Sequence, residues 1–109
     1  VGFQNIFSGI IKDKTVQFGG ISLPAPAGFD TEVSVMIRAE DIVLTRNPTN
    51  ISGIIRTVSR RGAFVEISVD AGVEFFVRIP YKEYDSSLSV GDSIFLDWNE
   101  DAAVIGDNQ

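Results

Sequence analysis

The sequence predicts an all-β protein built as two small OB-like five-stranded barrel lobes packed together, and three observations carry that prediction. Apolar residues alternate with polar ones in period two, and no stretch of ten or more residues shows the 3.6-residue apolar period of a substantial helix. Glycine and proline punctuate the chain at short intervals, as at Gly19-Gly20, Pro24 to Gly28, Asn47-Pro48, Arg61-Gly62 and Val90-Gly91-Asp92. Ser-Gly-Ile-Ile occurs twice, at 8–11 and at 52–55, each time opening a half of the chain. Half of a 109-residue chain buries too little surface to stand alone, so the two lobes are expected to share a core.

The first lobe, 1–45, is expected to hold strands near 6–11, 15–18, 21–23, 32–37 and 42–44, with the glycine pair and the proline-rich stretch as breaks. The second lobe, 46–109, is expected to hold strands near 51–59, 63–70, 73–79, 93–98 and 103–105. Its clearest element is AFVEISVD, where Val65, Ile67 and Val69 share one face and Glu66, Ser68 and Asp70 the other. The link Asp70-Ala71-Gly72 joins it as a hairpin to VEFFVRI, which turns Val73, Phe75, Val77 and Ile79 inward and Glu74, Phe76 and Arg78 outward, leaving Phe76 facing solvent or a partner. Only Lys82 to Leu88 suits a helical turn. Each half ends alike, with an apolar strand, an acidic pair and a short apolar run: VSVMIRAEDIVL at 33–44 and SIFLDWNEDAAVI at 93–105.

Composition narrows the function classes. Apolar residues make up 44% of the chain with no run near the roughly 18 residues of a membrane span, so a soluble domain is expected. The absence of cysteine and histidine removes disulfides, thiolate nucleophiles, the usual zinc sites and imidazole acid–base chemistry. The net charge of −6 is uneven: Arg46 to Lys82 carries six bases against three acids, whereas Glu83 onward carries seven acids and no base. That balance argues against nucleic-acid binding, which needs clustered cations and stacking aromatics, yet leaves room for one small anion. The opening VGFQNIF lacks both a signal-peptide pattern and an initiator Met, so the chain is expected to be a piece of a longer protein.

Four segments in order, VGFQNIFSGII, VSVMIRAEDIVL, GIIRTVSRRGAFVEISVDAG and LSVGDSIFLDWNEDAAVI, resemble the C-terminal regulatory region of the ATP-binding subunit of bacterial and archaeal ABC importers. That region is the transport-associated OB, or TOBE, domain. The resemblance implies a cytoplasmic subunit on the inner face of the cell membrane, with an upstream nucleotide-binding domain, absent from this chain, that uses ATP and Mg. Its implied partners are the transporter's membrane subunits and a second copy of the same subunit. No GxxxxGK[ST] loop is present, so this chain is expected to have no catalytic residue, metal or cofactor of its own, and to act by regulating or pairing the ATPase.

One branch of that family resembles molybdate- and tungstate-binding modules, with Ser-x-Arg-Asn-x-Leu-x-Gly opening a barrel and Lys-x-Ser near its end. Laid on Gly9, that pattern finds Gly2, Gln4 and Asn5; laid on Gly53 it finds Arg46, Pro48 and Thr49; near the end it finds Asn99 and Asp101. Asn5 alone is kept, and Asp101 would set a carboxylate against an oxyanion, so an anion site of that design is not expected. The tail WNEDAAVI is more similar to importers of polyamines, ferric iron, sugars or sulfate.

The candidate ligand contacts are therefore Asn5, as a remnant of that pattern, and Arg60 and Arg61, whose cations stand together at a turn tip. Against these stand simpler roles, a turn-bonding Asn and a solvated turn. Phe76, with whichever of Phe7 and Phe64 points outward, is the candidate interface, because contiguous exposed aromatics mark contact surfaces. Structural roles are expected for Gly9 and Gly53 at bulges or corners, Arg38 with Glu40 and Asp41 as a local ion pair, Gly62, Gly91 and Asp92 in turns, and Trp98 in the core.

Overall fold

The computed structural model describes residues 4–25 and 32–107. It contains all ten expected strands: β1 (Gln4–Lys12), β2 (Thr15–Phe18), β3 (Ile21–Pro24), β4 (Glu32–Arg38), β5 (Val43–Thr45), β6 (Ile51–Arg61), β7 (Phe64–Asp70), β8 (Glu74–Pro80), β9 (Ser93–Asp97) and β10 (Val104–Asp107). They form two antiparallel five-stranded sheets, ordered β10-β4-β1-β2-β3 and β5-β9-β6-β7-β8. The only helical pieces among the described residues are three single 3-10 turns, one of which, Tyr81–Glu83, touches the stretch where a helical turn was expected.

The strand allocation differs from expectation in one respect. The last short strand of each half crosses over: β5 pairs with β9 in the second sheet, and β10 pairs with β4 in the first. The device that carries the chain across is the repeated acidic pair. Ala39–Asp41 forms a 3-10 turn between β4 and β5, and Glu100–Ala102 forms one between β9 and β10. Each turn leads the chain out of the sheet it has just been in, and the short run that follows pairs at the edge of the other sheet. The carboxylates of both pairs lie in the first turn, where negative charge suits the N-terminal end.

One continuous core joins the sheets. Val16, Phe18, Val33, Val35 and Ile37 of the first sheet pack with Ile55, Ile67, Val69, Phe75, Val77 and Leu96 of the second, all buried. Aromatic rings fill the junction: Phe7 stacks on Phe18 at 5.1 Å and tilts against Phe75 at 4.9 Å, which in turn meets Trp98 at 5.7 Å. Phe7 is thus a half-buried junction residue and not an outward interface residue, because its odd position on β1 faces inward beside Asn5 and Gly9.

The SGII repeat is explained by close approach. A Cβ at Gly9 would lie 2.7 Å from Val16 Cγ2, and one at Gly53 would lie 2.6 Å from Val69 Cγ1 and 2.8 Å from the Asp70 carbonyl. Each glycine lets the following hairpin fold tightly over the first strand of its half. Gly62 and Gly91 hold turns at positive φ, and the Asp92 carboxylate accepts a hydrogen bond from the Ser89 N–H at 2.9 Å. Arg38 makes no ion pair with Glu40 or Asp41 among the described residues, since it ends β4 on the outward face while the turn carries the two acids away.

Two exposed aspartates tie down loops. The Arg56 guanidinium, 3.2 Å from Asp70, and then the Gly72 N–H hold that carboxyl below its ordinary range; the Ser87 hydroxyl and N–H do the same for Asp85. A depressed folded-state pKa contributes stability above the unfolded value, which is lost as pH falls through the folded one. Acid unfolding of Asp70→Asn is therefore expected to show a shallower loss of stability over the pH range below the ordinary carboxylate value, a small effect because the pair is exposed.

Candidate functional site

The outward face of the second sheet gathers most of the chemistry. A bulge in β6 sets it up: the register slips between Ile55 and Thr57, so Ile51, Gly53 and Ile55 face the core and, beyond Arg56, Val58 takes over. Thr57, Ser59 and Arg61 are thereby turned outward. Pairing then builds three cross-strand rows on β6, β7 and β8: Thr57–Ser68–Phe76, Ser59–Glu66–Arg78 and Arg61–Phe64–Pro80.

Glu66 stands at the centre. Arg61 Nε lies 3.4 Å from its Oε1 and Arg78 Nε 4.0 Å from its Oε2, so two cations share one carboxylate and one positive charge is left over. The Arg78 guanidinium sits 4.7 Å above the Phe64 ring, and its buried Nε makes no hydrogen bond. Thr57 and Ser68 hydroxyls lie 2.6 Å apart, where one donates to the other and the acceptor keeps its own proton for a further partner. With Ala39 reaching over from the first 3-10 turn, these residues enclose a hollow of about 220 Å³. Two guanidinium groups, one carboxylate, hydroxyls and an apolar wall thus meet around this hollow.

Of the sequence candidates, Arg61, Phe64 and Phe76 meet on this face, with Phe76 half-buried and Phe64 at its rim. Arg60 does not join them. It lies on the opposite side of β6, its guanidinium 3.6 Å over the Tyr81 ring and its Nε donating to the Gly62 carbonyl at 3.1 Å. Sequence reasoning missed Arg78, Glu66, Thr57 and Ser59 as companions. The shift of apolar spacing from 51, 53, 55 to 58 was the signal for the bulge that brings them together.

Asn5 is far from this hollow in role, and the expectation of a ligand contact there is corrected. It is 2% exposed. Its Nδ2 donates to the Ile37 carbonyl at 3.1 Å and the Phe76 carbonyl at 2.9 Å, and its Oδ1 accepts from the Phe76 N–H at 2.6 Å. Both amide protons are spent on main chain, leaving no donor for an anion. The side chain imitates a peptide unit against the outer edge of β8 and clamps the first sheet to the second, closing an edge that would otherwise offer itself to another strand. Thr49, four residues before Gly53 as Asn5 is before Gly9, makes the simpler bond, donating to the Leu96 carbonyl at 2.7 Å.

A larger groove of about 680 Å³ runs between β3 and the end of β9, with Leu23, Thr49, Asp97, Trp98 and Ile105 among its walls. Trp98 is only partly buried there. Among the described residues no group of three or more His, Cys, Asp or Glu stands together as a metal site, and no helix is long and apolar enough to cross a membrane.

Comparison with known proteins agrees with this architecture. Over 52 residues, 48% of the chain, the sequence is 31% identical to the molybdate/tungstate import ATP-binding protein WtpC of Pyrococcus abyssi, and the match spans 15% of that protein's length. The fold is similar to that of the cytoplasmic molybdate-binding protein ModG, solved with molybdate bound, with a TM-score of 0.75 at 17% identity over 95% of this chain and 96% of that one. The TOBE domain model matches residues 35–105, well over half of the sequence, and the chain belongs to that family.

Proposed function

We propose that the chain is the regulatory module of the ATP-binding subunit of an ABC importer. It has no catalysis of its own, and it works by biasing how two such subunits close on ATP. The observation that supports this reading most is family membership combined with similarity to an import ATP-binding protein. In such a protein ATP and Mg belong to a separate nucleotide-binding domain, and the subunit sits on the cytoplasmic face of the membrane against its membrane-embedded partners. A module of this kind must hand a rigid geometry from one subunit to the other, which suits two sheets with a common core and exchanged strands. The test is ATP hydrolysis by the full-length gene product with and without residues 1–109. Deletion is expected to leave hydrolysis in place while removing its dependence on subunit pairing or on a regulatory ligand; hydrolysis and transport unchanged in every respect would overturn the proposal.

A second reading is a small-oxyanion sensor that inhibits transport when substrate accumulates, and the uncompensated charge of Arg61 and Arg78 favours it. Under it, molybdate, tungstate or sulfate at a hundred times its dissociation constant raises stability by about 2.7 kcal/mol. Thermal shifts with these anions and phosphate measure this directly, and Arg78→Gln is expected to abolish any rise. A flat response to all four removes the reading.

A further inference from the structure

The outward face of the first sheet carries large apolar side chains. Ile6 is 64% exposed, Ile10 59% and Val104 55%, and pairing sets Val104, Met36 and Ile6 side by side across β10, β4 and β1 as one ridge. The next outward row, Gly106, Ser34 and Ser8, consists of small residues and forms a furrow beside it. A Cβ added at Gly106 would meet nothing within 4 Å, so the furrow is open at that end. Glu32 and Arg38 lie at the two ends of β4 on the same face, both exposed and neither in an ion pair among the described residues.

These features share one symmetry. Val35 lies midway between Ser34 and Met36 and midway between Glu32 and Arg38. When two copies face each other, a two-fold axis must lie between them and parallel to the sheets. If it runs across the strands at the level of Phe7, Val35 and Ile105, the ridge of each copy falls on the furrow of the other. Met36 then meets the partner's Ser34, Val104 the partner's Gly106 and Ile6 the partner's Ser8. The same axis sets Glu32 opposite the partner's Arg38, twice over. Self-complementarity of shape and charge together is what an isologous contact requires, whereas a surface made for a different protein has no need of it.

We infer that this face, centred on Val35, is where a second copy of the chain docks, with the central β4 strands antiparallel across the contact. The inference rests on the pairing reading of the module and names the surface that does it. A face of five short strands is smaller than a standard interface, so the isolated chain associates weakly. Pairing tightens when two parent subunits hold their modules close together.

The experiment is sedimentation equilibrium of the full chain at concentrations up to about 1 mM. Wild type is expected to show a concentration-dependent dimer. Gly106→Leu, which fills the furrow without an internal clash, and Ile6→Lys are each expected to weaken association at least tenfold with the circular dichroism spectrum retained. Glu32→Arg and Arg38→Glu, each of which sets like charges face to face, should weaken it separately, while the double charge swap restores it. Restoration by the double swap also guards against a variant that merely misfolds. A wild-type dimer indifferent to all these changes overturns this face but leaves pairing standing; a chain monomeric throughout the range overturns both.

Discussion

Asn5→Asp is expected to destabilise the protein more than Asn5→Ala does, although aspartate is the closer in shape. The alanine variant leaves the Phe76 N–H and the Phe76 and Ile37 carbonyls without their partner, at a cost of about 3 kcal/mol for groups largely shut off from water. A carboxylate keeps only the bond from the Phe76 N–H and aims its other oxygen at two carbonyls, with its charge buried. Burial and those carbonyls raise its folded-state pKa above the unfolded value, so the penalty is largest at neutral pH and shrinks as pH falls and the carboxyl protonates. Urea titrations at pH 7 and pH 4.5 measure the difference. A protein indifferent to both substitutions would remove Asn5 from its role as the clamp between sheets.

Phe75→Ala is expected to cost about 3–5 kcal/mol, because it empties the middle of the aromatic junction where no polar group or water can compensate. Phe75 is fully buried, and both Phe7 and Trp98 lean on it. Phe75→Leu, which keeps most of the volume, is expected to cost about 1.5 kcal/mol. Trp98 is the sole tryptophan, so its emission reports the junction directly and should shift to the red in the alanine variant. An alanine variant that melts with wild type would mean that the sheets are held together elsewhere.

Much of this fold is legible in the sequence because alternation and turn chemistry are local. AFVEISVD and VEFFVRI carry their inward and outward faces on their surface, and the observed β7 and β8 register keeps those faces. Strand exchange is a different kind of fact. Nothing in Val43–Thr45 or Val104–Asp107 distinguishes pairing with one sheet from pairing with the other, because the partner strands are set by long-range packing that local alternation does not encode. The repeated acidic pair is visible as a repeat, but its meaning as a crossover is not.

The candidate site was legible in pieces. Arg61, Phe64 and Phe76 stand out as cations and aromatics on alternating strands, yet the hollow that Arg61 and Phe76 line depends on the bulge at Arg56, which a strict alternation hides. Arg60 and Arg61 read as a pair in sequence and are separated by the pleat, one stacked on Tyr81 and the other turned toward Glu66. Asn5 was singled out for a ligand because its residue type fits the anion-binding pattern. The same amide, one donor side and one acceptor side, fits a strand edge equally well, and Phe76 lies 71 positions away in sequence, beyond the reach of any local pattern.

The two sheets share one core and exchange strands, and so stand as one mechanical unit. Equilibrium unfolding of the chain in urea, followed at once by Trp98 emission and by far-ultraviolet circular dichroism, tests it most directly. Coincident curves with a single midpoint are predicted, since exchanged strands, a common core and the Asn5 clamp leave neither sheet complete alone. Two separated transitions, with the tryptophan signal lost while half of the strand signal persists, would contradict it.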